Sequence, residues 1–351
     1  MRGVWPLIFR SFGCCLLFCA WPAAAHPPYG LVADEAGNVY FSDLETVWRL
    51  APDGRLTIFR PAVPETHVHE LAMAPDGAIE GDQNRYDPAT ERFYVGIWRR
   101  SLGGEERAIL PMTETPPRGI GVWQDRAGNR YTAQWRSNAD RRMALLRRTP
   151  NGGVDMLFAE GKEAGLAPQR AASSVGGMAF AADGSLYFAD RNLLRRLGPD
   201  GAVATLFDGG SDSSLRGIAT AGRQVLAADM GAKTVLAISP DGKARIMYRE
   251  AGPWLPTAVA LARGRLLVLE ANADPYDYVN RVRVVEAKEG RARVVALPGG
   301  PASAQPPAPG GGAGRGDAAS IAGAALAALG VVALLWRRRA ARTDRPSRAS
   351  A

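Results

Sequence analysis

A chain of 351 residues, 46% hydrophobic and 22% charged, has the apolar content to bury a sizeable core and is no disordered segment. Its formal net charge of +8 belongs to the ends: the first 25 residues carry Arg2 and Arg10, the stretch from 301 carries seven arginines against Asp317 and Asp344, and the body keeps +1. That distribution excludes a basic phosphate-binding surface, and with it a nucleic-acid partner.

Residues 1–25 place Arg2 and Arg10 before the apolar run "CCLLFCAW" and the small residues "AAA" at 23–25. This is the order of a secretory signal, and it predicts export with His26 as the first mature residue. Cys14, Cys15 and Cys19 all lie inside this leader. The exported part therefore has no disulfide and no thiolate metal site. A lipoprotein reading of Cys19 is disfavoured by the bulky Phe18 before it.

The body, 26–300, is built on one repeat. Its clearest copy, "GGMAFAADGSLYFADRNLLRRLGPDGAVATLF" at 176–207, reads as four short strands separated by turns, with Asp183-Gly184 and Pro199-Asp200-Gly201 supplying the turn chemistry. The first-turn glycine recurs at Gly37, Gly77, Gly128, Gly184, Gly222 and Gly264, and the second at Gly54, Gly104, Gly152, Gly201, Gly242 and Gly290. An apolar strand follows each second glycine, from "LTIF" to "ARVVAL". Four antiparallel strands at this period cannot bury both faces alone. Six such sheets packed radially around a channel can, which predicts an all-β, six-bladed β-propeller. The ring starts on an inner strand and ends on an outer one, so closure is expected to rest on side-chain packing between blades one and six.

"YGLVADEAGNVYFSD" (29–43) and "GGMAFAADGSLYFAD" (176–190) resemble NHL-repeat propellers and the related gluconolactonase and regucalcin superfamily, over roughly 27–298. The resemblance implies the propeller fold. It also implies, for gluconolactonase-like members, a divalent ion held in the channel by a glutamate, asparagines and an aspartate at blade entrances. Here Gly176 and Arg216 stand where two of those are expected, and no glutamate precedes Gly30. Amidating-lyase propellers place zinc-ligating histidines in separate blades, whereas no histidine follows His69.

After the body, 301–317 is a Pro/Gly-rich linker, and 318–336, "AASIAGAALAALGVVALLW", is an uncharged run of the length of a transmembrane helix. Arg337, Arg338, Arg339 and Arg342 open the basic tail 337–351 and fix it on the cytoplasmic side. The expected topology is a propeller in the periplasm or outside the cell, anchored to the inner membrane by its C-terminal helix. The glycine-rich stretch, apolar run and arginine cluster also resemble rhombosortase-type sorting signals, which implies cleavage at the surface as the other reading.

Aligning the six copies puts Tyr29, His69 and Glu70, Arg118, Gly176, Arg216 and Thr257 at the channel rim. The two arginines could hold a carboxylate or phosphate. His67 and His69, in "ETHVHE", with His26 and its freed amino group, are the candidate ligands of a zinc, copper or calcium ion; the plain alternative is that they decorate a strand. Acids end the second strand at Asp43, Asp190, Asp229 and Glu270, with Gln83 and Gln134 in the other two blades. Such repetition predicts carboxylates that accept from the next loop's backbone rather than a catalytic set. Blade two departs from the pattern, since "EGDQNRYDPATERF" (80–93) reads as a long polar loop. Asp82, Asn84, Tyr86 and Trp135 are therefore further ligand candidates. No G-x-S-x-G elbow is present. Two functions follow as expectations: a module that binds a protein, glycan or small molecule, or a divergent metal-assisted hydrolase or lyase working at the channel mouth.

Overall fold

The computed structural model describes residues 27–136, 143–159, 175–272, 282–288 and 291–295. His26, the leader, the linker, the apolar run 318–336 and the basic tail lie outside the described residues. Among the described residues no helix is long and apolar enough to cross a membrane.

Each repeat forms one four-stranded antiparallel sheet with its strands in chain order, giving six sheets. Blade four is typical. Its strands are Val175–Phe180, Leu186–Asp190, Leu193–Leu197 and Val203–Asp208. The first turn closes because Ala181 N–H donates to Ser185 O, Gly184 N–H donates back to Ala181 O, and Asp183 Oδ1 accepts from Ser185 N–H at 2.9 Å. Gly184 sits at φ +84°, which a side-chain-bearing residue rarely adopts, and its counterparts in the other blades are all left-handed. In blades one, three, four and five the pairing of the third and fourth strands shifts register at the same level. That repeated bulge increases the twist of the outer strand.

The core is divided among the seams between blades. Tyr40, Leu71 and Trp98 join blades one and two, and Ala72, Leu110 and Val122 join two and three. Leu145 and Phe188 join three and four, Leu194 and Leu236 join four and five, and Val235 and Val268 join five and six. Phe41, Trp48, Ala258 and Leu269 close the ring between six and one. Among the described residues the first strand, Leu31–Ala33, pairs only with Val39–Ser42, so closure there rests on packing without an exchanged strand, as expected.

Near the axis the inner strands approach so closely that side chains are excluded. A Cβ on Gly177 would stand 2.0 Å from Arg216 O, and one on Gly217 would stand 2.4 Å from Ala258 Cα. A contact that close with backbone cannot relax by turning a side chain.

Blade two corrects one expectation. The segment read as a long polar loop is a β-hairpin, Ile79–Asp87 paired with Arg92–Arg100, with its turn at 88–91. The reason is cross-strand pairing that polar composition hides. Tyr86 stacks on Phe93 at 4.7 Å and Arg85 lies over Tyr94 at 4.7 Å, so alternating aromatics hold the two strands together.

Candidate functional site

The six inner strands enclose a channel of about 600 Å³, lined along its length by small and apolar residues including Leu31, Leu71, Met178, Ile218 and Ala258. Gln124, Asp125, Arg126 and Thr220 stand at one end, and a second polar group gathers at the other, where the chain enters each inner strand. Tyr29 and Glu70 line the wall there. Arg216, from blade five, places its guanidinium carbon 5.7 Å from the centre of the Tyr29 ring. Three of the rim residues read from the sequence alignment are thus brought together from blades one, two and five.

Glu70 is held by its backbone. Its N–H and that of His69 both donate to Asp82 Oδ1 at 2.8 Å, so the Asp82 carboxylate pins the approach to the inner strand. Tyr29 N–H donates to His69 O at 2.8 Å and ties blade one to blade two. The Glu70 side chain is half-buried, since the channel is open, yet protein surrounds it closely. Loss of solvation, with repulsion from Asp82, outweighs attraction to Arg216 and pushes its carboxyl up to about 8. Burial likewise raises the Tyr29 phenol against the pull of Arg216, with Glu70 adding to the rise. At neutral pH both groups therefore keep their protons.

His69, next to Glu70 in sequence, takes no part in the channel lining. Its Nδ1 lies 3.1 Å from Asn84 Nδ2 and 3.8 Å from Asp82 Oδ2. Asn84 Nδ2 also donates to Asp82 Oδ2 at 2.5 Å, so Asp82 and Asn84 serve the supporting network rather than the channel. His67 exchanges two backbone hydrogen bonds with Asn84, and the His67 and His69 rings stand nearly perpendicular, 6.1 Å apart.

The expected metal ligands are His26, His67 and His69, of which only the last two are described. Among the described residues no three His, Cys, Asp or Glu side chains stand together as ligands, and His26 lies outside them. Where the resemblance implies a channel ion, the mouth presents the Arg216 cation, which repels one. Arg118 is also corrected: it is exposed, its carbonyl accepts from Arg148, and it does not line the channel. Trp135 is 42% exposed at the end of its strand in blade three, and Tyr86 is 42% exposed on the hairpin; neither reaches the mouth.

The acids that end the second strands divide into two kinds. Asp43 Oδ1 accepts from the N–H groups of Glu45 and Thr46, and Asp229 Oδ1 accepts from Ser214 and Ala232, as expected. Asp190 instead pairs with Arg195 at 2.8 Å and Glu270 with Arg283 at 2.6 Å. Burial pushes the Glu270 carboxyl up to about 7 although Arg283 opposes it.

Sequence reasoning missed the ionic cluster between blades two and three. Glu80, fully buried, accepts from Arg99 at 2.7 Å and from both terminal nitrogens of Arg130 at 2.5 and 3.0 Å. A signal was present: Glu80 occupies the repeat position held by Tyr40, Tyr131 and Tyr187. A charge where the repeat places tyrosine marks a buried partner across the seam.

No protein-family model matches the chain, and no curated protein matches it. Among solved structures it is similar to a virginiamycin B lyase from Staphylococcus aureus, 18% identical over 78% of this chain and 85% of that one, with a TM-score of 0.48. It is similar also to a structural-genomics target assigned as a gluconolactonase, 17% identical over 76% and 90%, TM-score 0.48. The nidogen/laminin complex gives 17% identity over 63% and 80%, TM-score 0.45. At such identities and scores these likenesses carry nothing about activity or ligand. The strand order and the six shared cores by themselves make the chain a six-bladed β-propeller of four-stranded blades.

Proposed function

We propose that the chain is an extracytoplasmic, membrane-anchored propeller that binds a small ligand at its channel mouth rather than turning one over. One observation carries the binding site: Tyr29 and Glu70 line the end of a channel of about 600 Å³, and beside them the Arg216 guanidinium carbon stands 5.7 Å from the Tyr29 ring with its Nε buried and without a partner. Support for the location comes from the leader, the apolar run 318–336 and the arginines behind it.

A thermal-unfolding screen of neutral, anionic, sugar and peptide compounds tests the binding. Hits raise the midpoint of the natural chain and lose their effect in Gly176→Leu. A Cβ at Gly176 meets only Arg216 Nη1 at 3.7 Å, so the added side chain is accommodated at the mouth and blocks it. Hits that survive the plug, or catalytic turnover of a hit, sink the reading.

The location is read with Ser211→Cys, an exposed position in a body that has no cysteine of its own. A membrane-impermeant maleimide labels it on intact spheroplasts; labelling only after lysis places the body in the cytoplasm. Metal analysis of the same protein is expected to find no stoichiometric ion. One equivalent lost on His67→Ala/His69→Ala restores the metal-assisted hydrolase.

A further inference from the structure

We propose that Glu250 and Glu270 share one proton and form a pH-operated clasp on the loop 250–253, which carries the chain into the inner strand of blade six. Arg283, on the third strand Val282–Lys288 of that blade, brings the two acids together. Its Nε donates to Glu270 Oε2 at 2.6 Å, and its Nη2 donates to Glu250 Oε2 at 2.7 Å. These nitrogens stand side by side on one planar fork, whose usual partner is the two oxygens of a single carboxylate. Here each oxygen comes from a different glutamate, so two acids face each other across one cation.

The remaining oxygens show where the proton belongs. Glu250 is fully used: Oε2 also accepts from the Tyr248 hydroxyl at 2.5 Å, and Oε1 accepts from Gly252 N–H at 2.6 Å. Glu270 is fully buried, and its Oε1 has no donor. A bare buried carboxylate oxygen is destabilising, whereas a protonated one donates to the Glu250 carboxylate, which is within hydrogen-bonding reach. Burial pushes the Glu270 carboxyl up to about 7, against the pull of Arg283 and with Glu250 adding to the rise. In Glu250 loss of solvation is outweighed by the bonds from Tyr248 and Gly252 and by Arg283, which lower its carboxyl. Burial and the bond to Glu250 raise the Tyr248 phenol, which stays neutral. Among the described residues Arg283, Glu250 and Tyr248 are the titratable groups that act on Glu270. Lys233, from blade five, grips the loop on its other side, donating to Gly252 O at 3.0 Å.

Loss of the proton leaves two negative charges against one cation. Glu250, with its side chain 10% exposed where that of Glu270 is 0% exposed, is the one that can turn to water. It then releases Gly252 N–H and Arg283, and Arg283 also lies over the Trp254 ring at 4.4 Å. The loop and the start of the inner strand loosen together. The folded pair binds its proton more tightly than unfolded glutamates, which ionise near 4.5. The clasp's contribution is therefore whole below 4.5 and is lost as pH rises through about 7.

Hydrogen exchange of the full-length chain in detergent is read by mass spectrometry, each rate divided by the intrinsic rate at the same pH. Between about pH 6 and about pH 8.5, protection at 251–254 is expected to fall about tenfold or more, the scale of a proton lost over more than one pH unit. The inner strand of blade four, Val175–Phe180, should keep its protection. Glu270→Gln keeps an N–H toward Glu250 and an oxygen for Arg283 without the charge, and is expected to hold the loop equally at both pH values. Glu250→Gln repeats the test should the first variant unfold. Equal protection of the natural chain at the two pH values overturns the clasp. So does a parallel fall in blade four, which makes the change global, or a fall that survives in the glutamine variants, which assigns it to another group.

Discussion

Glu70 shows how one backbone position sets the character of the mouth. Asp82 fixes the two N–H groups at 69 and 70, and strand alternation then sends one side chain to Asn84 and the other to the channel. With its carboxyl pushed up to about 8, Glu70 binds a proton more tightly in the folded chain than in the unfolded one, where it ionises near 4.5. The neutral group's contribution is whole below pH 4.5 and is lost as pH rises from there through 8. Glu70→Gln, neutral at every pH, is therefore expected to raise the unfolding free energy at about pH 8.5 by roughly 2 kcal/mol, discounted for water in the channel. The gain should vanish as pH falls below 4.5. A variant no more stable at alkaline pH means that Glu70 ionises normally.

At the scale of the element, blade two differs most from its neighbours. Its second and third strands run on as a hairpin, and its seam with blade three adds a fully buried carboxylate to an apolar cluster. Glu80 accepts from Arg99 on its own blade and from Arg130 on the next. The pair also reaches Asp76, which Arg99 contacts from the first turn. Removing the carboxylate leaves the Arg130 guanidinium, 12% exposed, without a counter-charge and Arg99 with Asp76 alone. Glu80→Ala is expected to cost about 3–5 kcal/mol in urea unfolding, the scale of breaking a buried pair from one side. Glu80→Ala/Arg130→Met, which removes the stranded charge and keeps apolar bulk, should recover most of that loss. Equal stability of the two variants would show that Arg130 finds water instead.

For the whole molecule the decisive feature is a ring closed without an exchanged strand. Blades one and six meet through Phe41, Trp48, Ala258 and Leu269, all buried, with no hydrogen-bonded strand pair across the seam among the described residues. Phe41→Ala opens a void there and is expected to cost about 3–5 kcal/mol. If the seam is the ring's weak joint, hydrogen exchange should rise first at amides of blades one and six, such as those of 39–42 and 266–269. A uniform rise around the ring would make every seam equivalent.

The sequence by itself determined the architecture, because the turns that define a blade are local. A glycine at positive φ after an aspartate, and apolar residues two apart, act within a few residues and repeat in register. It also located part of the mouth: Tyr29, Glu70 and Arg216 follow from the alignment of the copies. Tertiary structure decided which of the aligned residues meet. Arg118 shares the repeat position but is exposed, His69 precedes the same inner strand as Glu70 but faces Asn84, and the polar stretch 80–93 pairs as a hairpin. Contacts across seams, such as Glu80 with Arg130 or Arg216 over Tyr29, join residues far apart in the chain. They exist only once the ring has closed: the repeat marks Glu80 as a charge out of place, but which residue answers it is decided by the neighbouring blade.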